Sequence, residues 1–325
     1  MKRVFVTRQI PDEGIKLLRR RGCVVDIFPK DRQITRRELL KTLRKNSYDA
    51  LLTILTDKIN DEVLRAAVPS LKVIANYAVG FDNIDLKAAK RHKIIITNAP
   101  GPEISEAVAE HTIALMFALL RRIVESDSFV RRGKHAGFEP QLFLGSDFIG
   151  KTIGIVGMGR IGEALARRLY DGFHIKILFT NATGNRTAEN TYHAKRVTLN
   201  QLLKKSDIVS LHVPLTKETR HLIGKKELAM MRSASYLINT ARGPVVDEIA
   251  LINALQTGEI AGAALDVFEH EPYISSSLLK LPNVVLTPHI ASATVEVRQT
   301  MSRRSAENIL AVFAGKTPPN LVEPS

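Results

Sequence analysis

Short apolar runs alternate along this chain with longer stretches whose apolar residues return every three or four positions. The first rhythm marks buried strands and the second amphipathic helices. Over the first third of the sequence the pattern predicts strands at 3–7, 23–28, 50–54, 73–76 and 94–97, with helices at 12–21, 35–46, 61–67 and a short one from Asp85. Alternation of that kind builds a parallel sheet with helices on both faces. Beyond an apolar run at 153–156 the rhythm predicts strands at 175–179, 207–212, 236–239, 261–265 and 284–287. Helices are expected between them at 199–205, 225–231 and 247–257, which makes a second sheet of the same kind. A final helix at 294–314 is too long for that sheet's repeat and could return the chain to the first lobe.

Ala99-Pro100-Gly101-Pro102 is the sharpest break, because two prolines and a glycine in four residues stop a strand and can start a helix. The helix expected at 103–122 has acids in its first turns, arginines at its end and apolar residues around most of its circumference, so it should be buried. His111 within it reads as a packed core histidine. The stretch 133–147 reads as an irregular connection, and the proline-rich tail 317–324 as a surface strap or a loose end. The fold class expected is α/β, two doubly wound parallel-sheet lobes with one inserted in the other. Residues 1–101 and 293–325 would form one domain and 102–292 the second.

The run from Ile153 to Val156 enters Gly157-Met158-Gly159-Arg160-Ile161-Gly162, and a helical pattern of Ile161, Leu165, Ala166 and Leu169 leaves it. That is the strand, tight turn and helix of a Rossmann dinucleotide-binding unit. Gly157 permits the sharp turn, Gly159 lets backbone N–H groups approach a pyrophosphate at the helix N-terminus, and Gly162 lets the helix pack on its strand.

Composition narrows the class. The chain has 325 residues, 45% apolar and 25% charged, which is room for two cores in a soluble globular protein. Val4 to Val6 is too short for the core of a signal peptide, and the nearly apolar stretch 113–120 is too short to span a bilayer, so a cytoplasmic location is expected. The single cysteine, Cys23, excludes an internal disulfide, offers no thiolate metal cluster and reads as a half-buried core thiol. The net charge of +14 could mean a nucleic-acid or membrane partner. Its basic residues, however, come as scattered pairs such as Arg167-Arg168 and Arg303-Arg304, a dispersed solvated surface without a binding stripe. Neither partner is expected, although part of the field could steer an anionic substrate and a phosphorylated cofactor toward a cleft.

Loops just past strand ends carry the remaining chemistry. Asn76-Tyr77-Ala78-Val79-Gly80-Phe81-Asp82-Asn83-Ile84-Asp85 follows one strand, and Asn239-Thr240-Ala241-Arg242-Gly243 follows another. Leu265-Asp266-Val267-Phe268-Glu269-His270-Glu271-Pro272 and Thr287-Pro288-His289-Ile290-Ala291-Ser292 come after the last two. Singly, Arg242, Glu271 and His289 could each be an ordinary surface or loop residue; together they stand where open α/β sheets bind ligands. In this order, and with the glycine turn, these motifs resemble the D-isomer-specific 2-hydroxyacid dehydrogenases over nearly the whole chain, with the glyoxylate and hydroxypyruvate reductase branch the nearest likeness.

The resemblance implies an oxidoreductase that moves a hydride from NAD(P)H to a small 2-keto acid, glyoxylate or hydroxypyruvate, without a metal. It carries the catalytic arginine, glutamate and histidine onto Arg242, Glu271 and His289. Reduction of a ketone needs a proton donor beside the growing alkoxide, a task suited to an imidazole oriented by a carboxylate, and the planar fork of an arginine can hold the substrate carboxylate. Glu269 competes for the acidic role, but the pattern favours the acid directly before the proline, Glu271. By the same likeness Leu55, Val79, Gly80, Phe81 and Ser292 would meet substrate. Thr112, Thr240, Ala241 and Asp266 would lie by the nicotinamide and His212, Val213 and Pro214 by the ribose and pyrophosphate, with His289 and Ala291 also meeting the cofactor. Ala291 replaces a family glycine, which leaves the substrate's identity open. A homodimer through the nucleotide lobe is also implied.

NAD enzymes place an acid at the end of the second strand, roughly 20 residues past the glycines, to bind the ribose 2′-hydroxyl. Here the strand end reads Phe179-Thr180-Asn181-Ala182-Thr183-Gly184-Asn185-Arg186. Without a carboxylate, and with Thr180, Asn181, Ala182 and Arg186 around the loop, NADP(H) is expected to be favoured, with NAD(H) possible. The rival readings are a non-catalytic NAD(H)-sensing, corepressor-like binding protein and a dehydrogenase of the same family acting on another D-2-hydroxy acid.

Overall fold

The computed structural model describes residues 1–323, so Pro324 of the expected tail and Ser325 lie outside the described residues. Contacts divide the chain into two compact units, 1–104 with 293–325, and 105–292.

The first unit is a five-stranded parallel sheet of order β2-β1-β3-β4-β5. In chain order it runs β1 (Arg3–Val6), α1 (Asp12–Arg20), β2 (Val24–Ile27), α2 (Arg36–Lys45), β3 (Ala50–Ile54), α3 (Asp61–Ala67), β4 (Val73–Tyr77), α4 (Leu86–Arg91) and β5 (Ile95–Thr97). Helix starts follow side-chain chemistry. Thr35 and Glu38 form a reciprocal capping box at α2, Asn60 caps α3 and Asp85 caps α4. Every residue of β4 is buried, as a central parallel strand requires. Cys23, expected to be half-buried, is buried with 7% of its surface exposed.

The second unit opens with α5 (Pro102–Leu120), whose first turn straddles the division, then α6 (Ile123–Arg131). It continues through β6 (Thr152–Val156), α7 (Arg160–Phe173), β7 (Lys176–Thr180), α8 (Arg186–Thr191), β8 (Lys195–Arg196), α9 (Leu199–Lys205) and β9 (Ile208–Leu211). After α10 (Lys225–Met230), β10 (Tyr236–Asn239), α11 (Glu248–Thr257), β11 (Gly262–Leu265) and α12 (Ser276–Leu279) it ends on β12 (Val284–Leu286). Seven parallel strands take the order β12-β11-β10-β9-β6-β7-β8, so the order reverses between β6 and β9. One face buries Ile155, Ile177 and Phe179 against Leu165 and Leu169 of α7 and Met116 of α5. The other buries Leu178, Val209 and Leu237 against Leu202 of α9, Leu228 of α10 and Leu251 of α11.

The last helix, α13 (Val295–Phe313), joins the first unit, packing along α1 and β4. Gly14 explains the closeness: its N–H donates to Ser302 Oγ at 3.0 Å, and a Cβ built there would lie inside the Ser302 carbonyl. The tail is a strap through its described part. Leu321 bridges Thr97, the Val322 N–H donates to the Ile96 carbonyl at 2.9 Å, and Val322 is buried.

Sequence periodicity missed α6, α8, the four-residue α12 and the two-residue β8, and placed β7 one residue early. None of the four carries a long apolar stripe, and α6 buries no residue at all. Some basic pairs read as solvated are engaged instead, Arg167 and Arg168 with Glu106, and Arg304 with Glu103.

In an isolated helix, replacing glycine by alanine gains about 1 kcal/mol. At Gly14 the sign should reverse, because the added methyl must push α1 off α13, an overpacking cost of about 1–3 kcal/mol. Gly14→Ala is expected to lower the urea midpoint. An unchanged or raised midpoint would mean the helices part without loss.

Candidate active site

The glycine turn has the shape that a dinucleotide needs. Gly157 has φ +100°, and a side chain there would meet the His212 carbonyl at 2.7 Å. Gly159 caps α7, and a Cβ on it would find nothing within 4 Å, so the space over the helix N-terminus is open. A Cβ on Gly162 would collide with the Gly157 carbonyl, which fixes how close α7 lies to the turn. Asn185 fastens this turn from the next loop, its Nδ2 donating to the Met158 carbonyl at 3.1 Å and to Glu163 Oε2 at 2.9 Å. Backbone N–H groups at Arg160 and Ile161 in the first turn of α7 fit a pyrophosphate.

His212, Val213 and Pro214 follow β9, the neighbour of β6 at the point where strand order reverses. The His212 Nε2 lies 2.8 Å from Ser210 Oγ, while its buried Nδ1 has no hydrogen-bond partner. Burial holds this imidazole down to about 4, so it is neutral near pH 7.

At the end of β7, Thr180 is followed by Asn181 and Ala182 with no carboxylate. Arg186 is the exposed first residue of α8, capped by Asn185, and not part of an irregular loop. Arg196 on β8, absent from the sequence reading, donates from Nη2 to the carbonyls of Asn181 at 3.1 Å and Ala182 at 3.0 Å.

Three neighbouring strands carry the acid–base candidates on loops past their carboxyl ends: β10 leads to Arg242, β11 to Asp266 and Glu271, and β12 to His289. Glu271 is held by both oxygens, Oε1 accepting from the Phe268 N–H at 3.0 Å and Oε2 lying 2.9 Å from His289 Nδ1. His289 has φ +56°, a left-handed backbone unusual for a side-chain-bearing residue, and its N–H donates to the Asp266 carbonyl at 2.8 Å. Glu269 turns elsewhere, to His221 Nε2 at 2.6 Å and the Glu248 N–H at 3.1 Å. Arg242 donates from Nη1 to the Ala241 carbonyl at 2.8 Å, and its own carbonyl accepts from Asn239 Nδ2 at 3.0 Å. A Cβ on Gly243 would overlap the Phe268 carbonyl, so the arginine loop lies directly on the backbone of the glutamate loop. Thr112 Oγ1 and Thr240 Oγ1 are 3.0 Å apart, and Ala291 donates its N–H to Asp266 Oδ2 at 2.8 Å, with Ser292 following.

Leu55, Val79, Gly80 and Phe81 sit in the first unit on the loops after β3 and β4. The Val79 carbonyl accepts from Asn98 Nδ2 at 2.7 Å and that of Gly80 from Asn76 Nδ2 at 2.9 Å. Among the described residues neither N–H of Val79 and Gly80 has a protein acceptor. Leu55 precedes Asp57, a buried carboxyl that accepts from Thr7 and from the Ile54 N–H; burial pushes its pKa up.

The family profile described as D-isomer specific 2-hydroxyacid dehydrogenase, NAD binding domain, matches residues 113–291, more than half of the chain. The chain belongs to that family. It is an NAD(P)-dependent dehydrogenase with the two-lobed parallel α/β fold of its relatives. Glyoxylate reductase of Thermococcus litoralis is 50% identical over 324 residues, covering 98% of this chain and 96% of the relative. The TT0316 protein of Thermus thermophilus superposes with a TM-score of 0.92 at 41% identity, covering 99% of this chain and 100% of that one. The NADPH-dependent glyoxylate/hydroxypyruvate reductase of Sinorhizobium meliloti, in complex with NADP and malonate, superposes at 0.84 with 31% identity, covering 99% and 96%.

The histidine loop of this dehydrogenase is built on Asp266. Its Oδ1 accepts from Thr287 Oγ1 at 2.6 Å and from the Ile290 N–H at 2.8 Å, besides the Ala291 N–H on Oδ2. His111, read from sequence as a packed core histidine, joins this network instead. Its Nε2 is 3.2 Å from Thr287 Oγ1 and 3.6 Å from Asp266 Oδ1. Burial pushes the Asp266 carboxyl up, but the bonds from His111, Thr287, Ile290 and Ala291 outweigh it and hold the group below the usual carboxylate range. Among the described residues no cluster of three or more His, Cys, Asp or Glu could hold a metal ion.

Since the folded-state value of Asp266 is depressed, its stabilisation is present above the unfolded value of about 3.9 and is lost as pH falls through the folded one. Asp266→Asn cannot accept on both arms and should lose about 2–3 kcal/mol at pH 7. Urea melts of the two proteins are expected to converge as the pH is lowered below 4. A gap independent of pH would show that the charge is not what holds the loop.

Proposed function

We propose that this dehydrogenase reduces glyoxylate, and hydroxypyruvate beside it, to the 2-hydroxy acid, with NADPH favoured over NADH. The observation that carries the reading is the Glu271–His289 bond at 2.9 Å, beside the arginine loop and at the carboxyl ends of the nucleotide sheet. The names of the relatives support the substrate. They do not favour a non-catalytic sensor or a different hydroxy acid. A bound reduced nicotinamide supplies the hydride. His289, with Nδ1 committed to Glu271, delivers a proton from Nε2 to the keto oxygen, so that OHC–COO⁻ gains one hydride and one proton and becomes HOCH₂–COO⁻. Arg242 holds the carboxylate and polarises the keto oxygen through its fork. The family resemblance assigns further substrate contacts to the Val79 and Gly80 N–H groups and to Leu55, Phe81 and Ser292. In this reading the first unit is the substrate domain and the second binds the dinucleotide.

His289→Ala or Arg242→Ala should lower kcat with glyoxylate by roughly 10²–10⁴-fold. NADPH affinity, followed by the cofactor's own fluorescence, should stay within a few-fold. Near-normal turnover in either variant would remove its role.

A homodimer in the cytoplasm completes the reading. The arm formed by α6 and the stretch after it leaves Val130 58% and Phe138 93% exposed, with Leu144 and Ile149 also uncovered, an apolar surface suited to a second copy. No helix among the described residues is long and apolar enough to cross a membrane. Light scattering should give twice the chain mass at micromolar concentration, and Phe138→Glu with Leu144→Glu should give monomers. A monomeric wild type would contradict the assembly.

A further inference from the structure

We infer that Arg196 supplies the positive charge that selects the 2′-phosphate of the cofactor, reaching it from a strand that is not the one the phosphate loop follows. The inference rests on the proposed NADP(H) preference and deepens it by naming the residue that creates it.

The loop past β7 is where a Rossmann sheet receives the adenosine ribose, and the group at that spot decides between hydroxyl and phosphate. No acid stands there, but neither does the loop itself provide a fixed cation. Thr180 and Asn181 are neutral, and Arg186 leaves as the exposed first residue of α8. The cation comes from the sheet edge. β8 pairs with β7, setting Arg196 opposite Phe179, two residues before Asn181. From there Nη2 places both its N–H bonds on the Asn181 and Ala182 carbonyls, at 3.1 and 3.0 Å. The guanidinium is thereby tied to the ribose loop while Nε and Nη1 keep three of its five donors for another acceptor.

Charge balance agrees. Both acceptors are neutral carbonyls, and none of the ion pairs among the described residues includes Arg196. Gly184 lies beside the guanidinium: a Cβ built there would be in ordinary contact, 3.8 Å from Arg196 Nη1 and 3.6 Å from Glu189 Oε1. Glu189 is the nearby acid, and it does not come within ion-pair distance of Arg196. A cation anchored through one arm, exposed, and without a carboxylate of its own is the arrangement that takes a phosphate by two parallel bonds.

The test uses isothermal titration with adenosine 2′,5′-bisphosphate and 5′-AMP, which differ only in the 2′-phosphate and need no turnover. The wild type should bind the bisphosphate at least about 10-fold more tightly. Arg196→Gln should weaken the bisphosphate by about 10- to 100-fold and leave 5′-AMP within about twofold. Arg196→Lys should restore part of the difference, and Arg186→Gln should cost less than about threefold. If Arg196→Gln weakens both ligands equally, the residue only props the loop and the inference falls. It falls too if the variant still discriminates as the wild type does. A wild type that does not favour the bisphosphate would instead overturn the NADP(H) reading beneath it.

Discussion

Glu271 and His289 come from loops after neighbouring strands and meet in one hydrogen bond of 2.9 Å, on which the proposed chemistry depends. A histidine can hand a proton to a ketone only if one ring nitrogen is occupied and the other is aimed. Glu271 provides the occupation, and it is itself unable to swing because its second oxygen accepts from the Phe268 N–H. His289 stands at φ +56°, a backbone state that persists only where the surroundings over-determine it. Those surroundings are Asp266, whose carbonyl takes the His289 N–H and whose carboxylate takes the two N–H groups that follow.

The parallel sheet turns this local arrangement into a site. Because all seven strands run the same way, every loop past a carboxyl end opens on the same edge, so residues far apart in sequence gather there. Gly243 sharpens the effect, since without a side chain the arginine loop can rest on the backbone that carries Glu271. The glycine turn stands on β6 of the same sheet, with open space over α7 where Gly159 has no side chain.

Much of this was legible in the sequence. Central strands such as β4 and β9 are short, mostly apolar runs, and helices such as α2 and α9 bury leucines three or four positions apart or side by side on one face, so periodicity found them. α6 was hidden because a helix with no buried face has no stripe to read, and α8 because six residues are too few to show a period. His111 shows a different limit: position on an apolar helix says nothing of a polar partner 176 residues away. Arg196 could not be found from the spacing of the glycine motif either, since its place beside Asn181 comes from strand pairing across the sheet edge. Between Glu269 and Glu271 the choice rested on the family pattern of an acid directly before a proline, and the geometry separates them by giving one to His221 and the other to His289.

The central claim concerns where one ring nitrogen points when substrate is present. A crystal structure with the oxidised dinucleotide and oxamate, an unreactive mimic of a small 2-keto acid, tests it most directly. The account predicts His289 Nε2 at about 2.6–3.2 Å from the oxamate carbonyl oxygen, with the Nδ1 bond to Glu271 intact and Arg242 forked onto the oxamate. A structure in which Nε2 faces away from the bound acid, or in which another residue occupies the carbonyl, would contradict it.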